Sequence, residues 1–161
     1  MKADPFKALD ACHRQIHEHL AELAELLERL DGSSSSSVHS RQKAKTIEAF
    51  FSETARAHHA EEEKNVFPNL LLSDNAELVQ AVQTLKQDHG WIEQNWIELA
   101  PMLRAIAQGE DWVDMDELKH NAEVFLNLCH DHIVLEETLI YPEAKARLAE
   151  EMASRAKRLA H

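Results

Sequence analysis

The sequence predicts an all-α protein: an antiparallel, up-down-up-down four-helix bundle with a C-terminal helical extension. Three observations point there. Glycine and proline are scarce, three and four in 161 residues, among abundant Ala, Leu, Glu, Lys and Arg. Four segments carry apolar residues at alternating steps of three and four, the spacing of a buried helix face. The segments between them are short, which places consecutive helices side by side and antiparallel. A chain of this length is expected to form one domain over residues 1–161, with a core at about 5–145 and an amphipathic extension at about 142–160.

The first helix is expected to start at Asp4-Pro5, with Asp as cap and Pro at the first helical position. Its stripe reads Leu9, His13, Ile16, Leu20, Leu23, Leu27, Leu30, and it stops at Asp31-Gly32 before a flexible serine loop ending at Ser37. The second runs from about Ser40 to Val66, with Ile47, Phe51, Ala55, His58, Glu62 and Val66 inward. Pro68 and Ser73-Asp74-Asn75 mark the turn that follows. The third reads Leu78, Val82, Leu85, His89, Ile92, Trp96, Leu99, Leu103, Ile106; Pro101 should kink it or end it early, and Gly109 closes it. The fourth reads Leu118, Ala122, Phe125, Cys129, His132, Glu136, Leu139, and Pro142 interrupts it. A basic amphipathic tail follows, read as a kinked extension or a short fifth helix packed on the bundle.

One short pattern occurs twice. His58 to Pro68 and His132 to Pro142 both read H-x-x-x-E-E, three residues, an aromatic and Pro, and the copies start 74 residues apart. A single histidine precedes each, His13 by 45 residues and His89 by 43, so the two halves look like copies of one helical hairpin. His and Glu at i and i+4 share a helix face, so one helix offers an imidazole and a carboxylate to one point. Taken singly, each of these histidines is most simply a satisfied core residue. The set is not: two carboxylates and four imidazoles buried together without a cation would cost several kcal/mol per unpaired charge. A metal converts that cost into folding free energy. Six ligands are too many for one tetrahedral zinc, whereas two metals bridged by Glu62 and Glu136 fit the count, and mixed imidazole and carboxylate donors suit iron or manganese.

The residues His13, His58-xxx-Glu62, His89 and His132-xxx-Glu136, with Phe67-Pro68 and Tyr141-Pro142 closing the motifs, resemble the hemerythrin-like (HHE cation-binding) domain over roughly residues 5–145. The resemblance implies two Fe ions with two bridging carboxylates and an oxo or hydroxo bridge, Mn or Zn being alternatives. By position, His13 and His58 would serve one ion and His89 and His132 the other. Respiratory hemerythrins carry five histidines, including HxxxH on the third helix. Here Glu93 stands one turn after His89, so the chain looks more like the four-His, two-Glu members, some of which repair iron–sulfur clusters, handle nitric oxide or sense iron. No attached output domain or cysteine-bearing N-terminal region is expected.

Glu93 and His17 lie at i+4 from His89 and His13, and each reads as a further ligand, an outer partner or a flank residue. Cys129 reads as core, Glu61, Glu63 and Glu137 as solvated, and Phe67 and Tyr141 as staples at the ends of the motif helices. His39, His59, His120, His130 and His161 have no inward slot on this reading.

The leading functional expectation is a di-iron protein that binds or senses O2, NO or another small ligand, or handles iron. One alternative is an enzyme for NO or peroxide detoxification or iron–sulfur cluster repair at the same centre. Another is a metal-free helical interaction module with a histidine pH switch. A net charge of −12 argues against a nucleic-acid partner. No apolar run approaches the roughly 20 residues of a membrane span, and no signal peptide is evident, so a cytoplasmic chain is expected. Cys12 and Cys129 are too few for a disulfide framework. Nothing in the sequence sets an oligomeric state.

Overall fold

A computed structural model describes residues 5–31 and 37–160. It is all-α, and no strand occurs among the described residues. In chain order the helices are α1 (Pro5–Asp31), α2 (Val38–Ala49), α3 (Ala55–Asn65), α4 (Phe67–Leu71), α5 (Ala76–Ala107), α6 (Met115–Leu135) and α7 (Tyr141–Leu159). A π-helical turn, Phe50–Thr54, joins α2 to α3, and a second, Glu136–Ile140, joins α6 to α7. Four rods result: α1, the α2–α3 rod, α5 and the α6–α7 rod. Each packs on its chain neighbour, and contacts between α1 and α6 close the bundle. No described helix is long and apolar enough to cross a membrane.

Local chemistry sets the helix ends. The Ser37 side chain accepts from the Ser40 amide to cap α2, Asn75 caps α5 by accepting from Glu77 and Leu78, and Asp114 does the same for α6. At the end of α5, the Gly109 amide donates to Ile106 and the Glu110 amide to Ala105, with Gly109 at φ 75°. That is a Schellman cap, and the left-handed residue in it favours glycine. The expected cap at Asp4 and the loop from Gly32 to Ser36 lie outside the described residues.

Several sequence expectations are corrected. Of the two outcomes expected at Pro101, an early end does not occur: α5 runs on to Ala107, with Pro101 exposed. The carbonyl it leaves unbonded belongs to exposed Ile97, so water can satisfy it. On the fourth rod Ile140, not Leu139, continues the buried stripe. The π-helical turn there widens the spiral by one residue and moves the inward position along by one. On α1 Leu26 is buried in the stripe, with Leu27 only partly covered. The extension packs only as far as Leu148, held by Lys145 to Asp10 at 2.8 Å and Arg147 to Ser73 at 2.7 Å. Residues 149–160 are exposed.

The interior is two apolar blocks with a polar layer between them. One block contains Leu23, Phe51, Trp96, Leu103 and Phe125; the other contains Phe6, Phe67, Leu70, Leu85 and Ile140. Burying each such side chain contributes about 1.5–3 kcal/mol, enough to hold a layer of polar groups that would not assemble unaided.

Candidate metal centre

That polar layer holds His13, His58, Glu62, His89, His132 and Glu136, every one buried. Four rods each deliver one imidazole. Glu62 follows His58 by one turn, and Glu136 follows His132 by one turn at the entrance to the second π-helical turn.

Glu62 reaches histidines from three rods and Glu136 from two. Glu62 Oε1 lies 3.4 Å from His58 Nε2 and 3.5 Å from His89 Nε2, and its other oxygen 3.9 Å from His13 Nε2. Glu136 Oε1 lies 3.0 Å from His132 Nε2 and 3.5 Å from His13 Nε2. Two overlapping groups of donor atoms result, each confined within 4.8 Å: His13, His58, Glu62 and Glu136, and His59, Glu62, His89 and His132.

The donor set fits a cation. His13 Nε2, Glu62 Oε1 and Glu136 Oε2 are buried with no hydrogen-bond partner. Orphaned acceptors of this kind are costly in an apolar interior, and a metal ion is the partner that answers them.

The titration behaviour of the cluster follows from burial and proximity. Burial opposes charge on His58, but the neighbouring Cys12 and Glu62 outweigh it and raise its pKa to about 9. Burial likewise opposes charge on Glu62, yet the facing His58 and His89 hold it well below the ordinary carboxylate range. Burial and the neighbouring His89 drive His132 down to about 3. Burial and His58 lower His13. With no cation bound, the cluster therefore keeps a proton on His58 opposite Glu62 and leaves His13 and His132 neutral, the ligating form of imidazole.

Residues expected to be peripheral surround the centre closely. Tyr141 is more than a staple: its hydroxyl donates to Glu62 Oε2 at 2.8 Å, and its ring stacks on His13 at 4.6 Å. Burial and then Glu62 push its pKa far up, so it stays a donor. Glu63 and Glu137 are exposed, yet each stands near a histidine of the centre. Glu63 Oε2 lies 3.8 Å from His89 Nδ1, and Glu137 Oε1 lies 3.6 Å from His13 Nδ1. Asp88 stands 3.9 Å from His132 Nδ1. These separations are longer than direct hydrogen bonds and leave the pairs in electrostatic contact only.

His17 and Glu93 belong to neither donor group. His17 Nε2 lies 2.7 Å from Glu137 Oε1, so it reaches His13 only through that carboxylate. Glu93 turns to the surface and accepts from Arg56 at 3.3 Å. His59, read as having no inward slot, is half-buried and stacks on His89 at 4.1 Å. Burial and then His89 hold it well below its ordinary pKa. Its sequence signal was weak: a second histidine beside an inward one, 100° round the helix.

An apolar cavity of about 60 Å³ adjoins the centre between Ile16, Phe51, Ile92, Phe125, Ile133 and the donors His59, His132 and Glu136. The Arg56–Glu93 pair lies on its outer wall.

A four-rod bundle whose interior gathers buried His and Glu donors defines a metal-binding protein. Residues 4–144 match the model of the hemerythrin HHE cation binding domain, and the chain belongs to that family. It is similar to an uncharacterized protein of Haemophilus influenzae (strain ATCC 51907 / DSM 11121 / KW20 / Rd): the two are 28% identical over 138 residues, 84% of this chain and 76% of that protein. No solved structure matches the chain significantly.

Proposed function

We propose that the chain holds two iron ions at this centre and there binds or senses dioxygen or nitric oxide, or handles iron. His13 and His58 would hold one ion, His89 and His132 the other, with Glu62 and Glu136 shared. The observation that carries this reading is the reach of each carboxylate to histidines of both pairs. Bound iron would supply redox-active Lewis-acid sites for a small ligand.

The remaining work falls to the chain itself. Tyr141 holds one oxygen of Glu62 and so fixes the carboxylate plane. Ile16, Phe51, Ile92 and Phe125 line the adjoining cavity with hydrocarbon, which favours a diatomic, weakly polar ligand over water. Glu63, Glu137 and Asp88 stand behind His89, His13 and His132 and set their ring orientation and basicity.

A metal count read beside a visible spectrum of the aerobically purified protein tests the proposal. Two irons per chain with the absorption of oxygen-bridged ferric ions is the expected result. A protein that takes up no metal, and whose stability is indifferent to chelator, overturns it.

A further inference from the structure

Among the described residues, His59 is an imidazole beside the centre that the proposed ligand set leaves unused. It follows His58 directly, so the two rings leave α3 about 100° apart and face different rods. His58 meets His13 at 4.8 Å between ring centroids. His59 instead lies against α5, 4.1 Å from His89 with the rings only 19° from parallel, and 5.7 Å from His132. A donor atom of His59 falls within 4.8 Å of donors on Glu62, His89 and His132. The equivalent position in the second motif is Ile133, which is buried and offers no donor.

We propose that His59 is a ligand of the second metal position, giving it three imidazoles where the first has two. This rests on the metal-centre reading above and makes the two positions chemically unequal. α3 thereby serves both metals, one through each of its adjacent histidines. An open depression of about 330 Å³ lies over His59, His89 and Gly90.

The test loads the full chain anaerobically with ⁵⁷Fe(II) and measures iron per chain, affinity and the Mössbauer spectrum for wild type, His59→Phe and His59→Ala. His59→Phe keeps a flat ring to stack on His89 but has no nitrogen to donate. If His59 only stacks, that variant behaves as wild type; if it ligates, one iron binds at least about tenfold more weakly and one quadrupole doublet is lost. In His59→Ala the same loss is expected, and added imidazole, entering through the depression, restores the second iron. Should His59→Ala fail to fold, the Phe variant decides alone. Two irons held by His59→Phe with wild-type affinity and spectrum overturn the assignment while leaving the metal centre standing. A wild-type chain that binds no iron removes both.

Discussion

The two helical hairpins can be laid over one another motif by motif, and each proves to furnish the other. The first motif puts Glu63 3.8 Å behind His89 and stacks Phe67 on the same ring at 5.7 Å. The second puts Glu137 3.6 Å behind His13 and stacks Tyr141 on that ring at 4.6 Å. In both copies, then, the first glutamate points into the centre, while the second glutamate and the aromatic support the lone histidine of the opposite hairpin. The halves differ at a few positions. His59 stands where the second motif has Ile133, and Tyr141 carries a hydroxyl that Phe67 lacks. The repeat builds a common scaffold, and single-residue departures from it set the chemistry of each side.

Four measurements would break or sharpen that comparison. The largest effect is expected from the shared carboxylates. Glu62 and Glu136 each reach histidines of both pairs, so metal analysis of Glu62→Ala and of Glu136→Ala should in each case find both ions lost. Retention of one ion by one variant alone would show that the hairpins contribute unequally.

Next comes pH, because the equivalent histidines of the two motifs shift in opposite directions. His58 is raised from 6.5 to about 9, so the stability it contributes is complete below pH 6.5 and is lost as pH rises through about 9. His132 is lowered from 6.5 to about 3, so below pH 6.5 the unfolded chain takes up its proton first and stability falls toward pH 3. The depressed Glu62 keeps its contribution until pH drops below its ordinary 4.5. Thermal unfolding of the metal-free protein should show maximal stability near pH 6.5. A steady rise to pH 9 would contradict a protonated His58 opposite Glu62.

The aromatic pair is the third. Tyr141→Phe removes the donor to a buried carboxylate and should lower the stability of the metal-free protein by about 1.5–3 kcal/mol. Phe67→Tyr adds a hydroxyl at a fully buried ring and should cost about 1–3 kcal/mol, so denaturant unfolding should find neither copy tolerant of the other's aromatic. Smallest are the outer carboxylates. Glu63→Gln and Glu137→Gln should each weaken metal binding about 10–100-fold in chelator competition. His17→Ala, which removes a half-exposed partner of Glu137, should change stability by no more than about 0–1 kcal/mol.

Much of this architecture was legible in the chain because regular helices preserve spacing. The α5 stripe from Leu78 to Ile106 is buried at every position the periodicity named. His13, His58, Glu62, His89, His132 and Glu136 meet in one layer for the same reason. What escaped the pattern lies where the helix departs from 3.6 residues per turn or where a neighbouring rod supplies the environment. Each π-helical turn adds a residue, which buries Phe50 beside Phe51 and exchanges Leu139 for Ile140. His59 gains its surroundings from α5, and no periodicity within its own helix announces that. The same holds for Glu63, Glu137 and the Tyr141 hydroxyl, whose partners sit on other rods.

The small apolar hollow beside the histidines carries a kinetic consequence. Its volume of about 60 Å³ admits a molecule of two heavy atoms, whereas a polydentate chelator such as EDTA is several times too large. A chelator could not pass through that hollow, which leaves the open depression of about 330 Å³ over His59, His89 and Gly90 as its way in. The half-life of the holoprotein in excess EDTA should then shorten as the EDTA concentration is raised, whereas loss by opening of the bundle alone would not depend on it.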